Sequence, residues 1–160
     1  MGGDPVRRTP SGRTLRLVTE GDVPAVVPPD SRVDESSISL PGQRRSVAAG
    51  RHWVVREAAE LGITGMPNQI IELLTSELLA NAVLHGPQGG IVGVRLRCTG
   101  DVVRVSVTDR EPSSPVVLHP DPIEPSGRGM AIVEAMSDSW GVESGAGGKT
   151  VWFELDLDEL

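Results

Sequence analysis

Glu77, Asn81 and His85 set a carboxylate, an amide and an imidazole four residues apart in Glu77-Leu78-Leu79-Ala80-Asn81-Ala82-Val83-Leu84-His85, where every other residue is apolar. Residues four apart share a helical face, about 6 Å apart along the axis and turned by roughly 40°. The segment therefore reads as a buried helix carrying one polar stripe. Burying such a stripe without partners is costly. Something polar, most simply a ligand with a metal ion, should complete it. The plainer alternative pairs Asn81 with a loop and Glu77 with an arginine of a neighbouring helix.

The chain has 160 residues, room for one domain with a proper core. Its formal net charge of −7 argues against a general nucleic-acid binder and against a polybasic membrane anchor. No apolar run approaches the roughly 20 residues that span a bilayer, and no signal-peptide apolar region is seen near the start. The single cysteine, Cys98, excludes an internal disulfide and a cysteine-based zinc cluster, and its alternating apolar surroundings suit a structural thiol. These features point to the cytoplasm. Arginine greatly outnumbers lysine, and Lys149 is the only lysine.

Residues 1–36 are rich in Pro, Gly, Ser and charge and read as a disordered N-terminal arm, leaving 37–160 as the folded domain. Ile38-Ser39-Leu40 reads as a short strand ending at Pro41-Gly42. Residues 43–61 read as a helix stopped by Gly62, with arginines at 44, 45, 51 and 56 that suit a partner surface or simply solvent. A turn with Asn68 as an N-cap candidate opens a second helix over about 68–86, which Gly86-Pro87 ends. Strands over 93–99 and 102–108 flank a Gly100-Asp101 hairpin turn. Residues 110–126, with five prolines, read as a long loop. A third helix over about 127–137 and strands over 140–143 and 150–157 complete the pattern. This order implies an α+β fold: a two-layer α/β sandwich with a mixed, mostly antiparallel sheet and helices on one face.

Four elements carry candidate chemistry. On the helix stripe, the Asn81 oxygen suits Mg²⁺, which takes few protein ligands plus phosphate and water. Glu77, one turn earlier, could orient or deprotonate an attacking hydroxyl. Asp109, at the end of an alternating strand, could accept a hydrogen bond from an exocyclic amino group or could simply form a turn. Gly127-Arg128-Gly129-Met130 opens a helix where glycines admit a ligand close to the backbone and free N–H groups suit phosphate. Lys149-Thr150 enters the last strand without Walker-type context, and the Thr150 hydroxyl could serve a base or Asp109.

Taken in order, Glu77-x-x-x-Asn81-Ala-x-x-His85, strand-end Asp109, Gly127-x-Gly129 and Lys149-Thr150 resemble the nucleotide-binding boxes of the GHKL (Bergerat-fold) ATPase superfamily. They are most similar to its anti-sigma-factor serine/threonine kinase family, as are the Ser126 to Met130 and Gly148 to Leu155 segments. The resemblance covers about residues 37–157. It implies a histidine-kinase-like ATPase domain using ATP and Mg²⁺, with Asn81 on the metal and Glu77 as general base. Asp109 would hold the adenine amino group with Thr150 beside it. Gly127, Arg128, Gly129, Met130 and Lys149 would contact the nucleotide or shape its lid, and His85 would border the site. The implied partners are a sigma factor and an antagonist protein phosphorylated on serine, with partner switching and a homodimer. The glycines that many superfamily members place after the adenine-binding Asp are absent from Asp109-Arg110-Glu111-Pro112. That leaves a second reading: a non-catalytic, ATP-binding or ATP-independent, partner-switching module.

Overall fold

The computed structural model describes residues 32–87, 89–110, 128–145 and 148–160. Five strands and three helices follow in the order β1 (Val33–Pro41), α1 (Arg45–Glu60), α2 (Met66–His85), β2 (Ile91–Thr99), β3 (Val102–Arg110), α3 (Arg128–Met136), β4 (Ser139–Gly145) and β5 (Gly148–Asp156). Every expected element is present. The sheet runs β1-β2-β3-β5-β4. Its four pairings are all antiparallel, so the sheet is not mixed. β4 reaches the far edge because α3 carries the chain past the position that β5 then fills.

Alternation sorts the strands into two faces. Val92, Val94, Leu96, Val103, Val105, Val107, Val151, Phe153 and Leu155 are at most 3% exposed and form one face. Val54 and Ala58 of α1, Ile71, Leu74, Leu78 and Leu79 of α2, and Val133 of α3 cover it in one core cluster. The other face carries Arg95, Arg97, Arg104, Ser106, Thr108 and Thr150, and among the described residues no helix covers it. Trp152 points to that open side yet is 1% exposed. The Arg104 guanidinium lies 3.9 Å from its ring centroid and donates to Glu154 at 2.8 Å. Gly141 sits opposite Trp152 in register, leaving room for the ring.

Several boundaries differ from the sequence reading for local reasons. β1 begins at Val33 and takes in residues assigned to the arm, because the whole run Val33 to Pro41 pairs with β2. Residues 1–31 lie outside the described residues. α2 starts at Met66 with no side-chain cap, and Gly65 at φ 67° turns the chain into it. Asn68 therefore does not cap. Its amide donates to Val55 O at 3.1 Å and Ile63 O at 2.9 Å, tying the start of α2 to α1 and the preceding turn. At Gly62, φ 85° fits the expected helix stop. β3 continues through Arg110, so Asp109 lies inside the strand. The proline-rich segment 111–127 lies outside the described residues.

Cys98 is half-buried and lies 3.5 Å from Gly100 O. Burial first, and the nearby carboxylates of Asp34 and Asp101 next, push its thiol up from the usual value, which keeps it protonated at neutral pH.

Candidate functional site

The stripe on α2 faces two different surroundings along its length. At its upstream end, Glu77 meets the first turn of α3. A Cβ placed on Gly129 would lie 2.8 Å from Glu77 Oε2, so only a glycine lets α3 approach this carboxylate undisturbed. One turn on, Asn81 is half-buried, and its Nδ2 is buried with no hydrogen-bond partner among the described residues. A buried, unsatisfied amide is costly. It fits a site that a polar ligand completes. The same amide's oxygen is a hard donor of the kind Mg²⁺ accepts.

The downstream end of α2 reaches the sheet. His85 is its last residue and is exposed. Gly86 is extended, φ −77° and ψ 169°, as expected for a residue before proline. A Cβ there would lie 3.3 Å from the Asp109 Cβ and 2.4 Å from Ala82 O. The sequence reading takes Gly86 only as a helix stop. Its additional role is to let α2 end directly against Asp109. Nothing in a Gly-Pro pair announces that contact, which depends on how the helix docks.

Asp109 and Lys149 are directly opposite in the β3–β5 register. Both point to the helix-covered side. Lys149 Nζ stands 3.8 Å from Asp109 Oδ2, with side chains only 9% and 7% exposed. Asp109 takes part in a further interaction as well. Thr150, one residue on, is on the opposite face, where its hydroxyl lies 2.7 Å from that of Thr108. The structure therefore puts Lys149, not Thr150, beside Asp109. The cause is the two-residue period of a strand: neighbours in sequence cannot share a face.

The glycine-rich element divides. Gly127 lies outside the described residues, and Arg128 opens the helix that Gly129 brings onto Glu77. Met130, one residue further, is 5% exposed and packs into the apolar core. Among the described residues no three His, Cys, Asp or Glu side chains gather as a metal cage. Mg²⁺ needs no such cage when phosphates and waters supply most ligands. A groove of about 610 Å³ lies on the other face of the sheet, lined by Arg95, Arg104, Thr108 and Trp152 among others. Glu77, Asn81 and Asp109 do not border it.

An antiparallel sheet covered on one face by helices, with α2 carrying Glu77 and Asn81 and ending against Asp109, is the frame on which the comparisons with known proteins fall. Residues 40–155 match the family described as the histidine kinase-like ATPase domain, and the chain belongs to that family. Among solved structures it is similar to the RsbU and RsbW domains of Rv1364c from Mycobacterium tuberculosis, at 26% identity and a TM-score of 0.58. That similarity covers 76% of this chain but only 32% of the other. No curated protein matches it. Among the described residues no helix is long and apolar enough to cross a membrane.

Proposed function

We propose that this chain is an ATP-dependent serine/threonine kinase of the anti-sigma type, which phosphorylates an antagonist protein and exchanges that partner for a sigma factor. The observation that carries the reading is the α2 stripe. The unpartnered Asn81 amide stands one turn from a carboxylate that abuts the opening of α3. The N-terminal N–H groups of a helix suit phosphate oxygens. Asn81 would hold Mg²⁺, which when bound neutralises charge on the phosphates. Glu77 would orient the serine hydroxyl of the antagonist and take up its proton as the oxygen attacks the γ-phosphorus and the bond to the β,γ-bridging oxygen breaks, releasing ADP. Asp109 would accept from the adenine amino group. His85, exposed at the end of α2, would border the site.

Partner binding is the less defined half. Among the described residues β1 is an edge strand, and an edge of this kind suits pairing with a second copy in a homodimer. Arg44, Arg45 and Arg56 are exposed on or beside α1 and suit an acidic partner surface. The second reading, a module that binds partners without transferring phosphate, rests on the absence of glycines from Asp109-Arg110-Glu111-Pro112.

Labelled ATP with Mg²⁺ and candidate antagonist proteins separates the two. Glu77→Gln should lower transfer by about 100-fold or more while leaving nucleotide affinity nearly unchanged. Asn81→Ala should lose both. Equal transfer by wild type and Glu77→Gln would remove Glu77 as the base. Nucleotide binding without transfer in wild type would select the non-catalytic module.

A further inference from the structure

We propose that Lys149 reads the nucleobase together with Asp109. Its ammonium would donate to a ring nitrogen while the carboxylate accepts from the adjacent exocyclic amine, so the pair recognises the Watson–Crick edge of adenine. The inference rests on the reading that ATP binds beside α2.

Burying an ammonium and a carboxylate is expensive unless both are well hydrogen-bonded. Here the separation of 3.8 Å suits an ion pair but is too long for a hydrogen bond. An ammonium has three donors and no acceptor. The Asp109 carboxylate stands beside the ammonium at ion-pair distance. A side chain 9% exposed near the ends of two paired strands holds its ammonium where a ligand atom entering beside Asp109 could meet it.

The surroundings fix where that atom would lie. Gly148 holds φ 122°, and a Cβ on it would fall 1.9 Å from Asp109 O. Gly86 brings the α2 terminus against Asp109 from the helix side. Backbone thus closes on Asp109 from two directions, and the ammonium and carboxylate are held side by side by their register. A donor next to an acceptor is the complement of adenine, whose N1 accepts and whose exocyclic amine donates. Lys149 is then a specificity-determining residue, and a merely structural ion pair would show none of this discrimination.

Isothermal titration of the full chain with Mg²⁺ complexes of ATP, 1-deaza-ATP and GTP tests it. 1-Deaza-ATP replaces the N1 acceptor by C–H and keeps the amine. Wild type should bind ATP about tenfold or more tightly than 1-deaza-ATP, as losing a hydrogen bond from a charged donor implies. Lys149→Met should bring that ratio close to one, and Lys149→Gln, which keeps an N–H donor, should restore part of it. Because ratios are compared within each protein, a loss of stability in a variant does not mimic the result. The wild-type ratio alone decides the matter if neither variant folds. Equal wild-type affinity for ATP and 1-deaza-ATP, or GTP binding as tight as ATP, would overturn the inference and leave the ATP site standing. No binding of any nucleotide would overturn the ATP site, and the inference with it.

Discussion

Glu77 and Gly129 share a space that neither could hold if the other were larger. The carboxylate oxygen is 2.8 Å from where a Gly129 side chain would begin. Gly129 is the second residue of α3, where alanine suits the helix at least as well as glycine. Gly129→Ala should therefore keep or slightly raise thermal stability. The flexible end of Glu77 gives way, and phosphate transfer should fall by roughly ten- to a hundredfold, since small misplacements of a reacting group are that costly. A melting curve and a transfer assay on the same preparation check both halves. A fall in stability with normal transfer would mean that Glu77 is not held for catalysis. Asn81 differs in kind. Its buried, unpartnered Nδ2 marks a position whose polarity the protein interior alone does not explain.

Strand register decides what the linear sequence leaves open. The helices are legible because apolar residues recur at their period and Gly62 and Gly86 punctuate them. The hairpin is equally clear, with Thr99 opposite Val102 across the two-residue turn. β1 is harder to see in full, because both of its faces are partly exposed and its first half, Val33 to Ser37, carries little apolar contrast. The stripe on α2 can be read from spacing alone. The Asp109–Lys149 pair cannot, since it exists only once β3 and β5 are set in register. The same register carries Thr150 away from Asp109. Gly148 is the hinge of this arrangement. Its φ of 122° is closed to other residues, and any Cβ would strike the Asp109 carbonyl. Gly148→Ala should cost about 2 kcal/mol or more and lower Tm by roughly 4–8 °C, read by calorimetry. An unchanged Tm would show that the start of β5 is not fixed as described.

At the scale of the molecule, one covered sheet face and one open face define both stability and site. The core is one-sided: helices meet Val, Leu and Phe on the covered face, while the open face relies on Trp152 packed under Arg104. β3 is paired on both sides and covered by α2, whereas among the described residues β1 and β4 are each paired on one side only. Amide hydrogen exchange should be slowest in β3 and its partner β5 and markedly faster in β1. Comparable protection of β1 would point to an edge capped by another chain. The candidate site residues gather where the covered layer ends, at the opening of α3 and the close of α2. The helices thus supply the polar stripe and the strands supply its charged end.

The sole lysine of this chain is sealed beside Asp109. Reagents that acylate side-chain amines therefore have a single target here, and they reach it only when the end of the sheet opens. The rate of that acylation is a clock for opening, legible as one mass increment on one peptide.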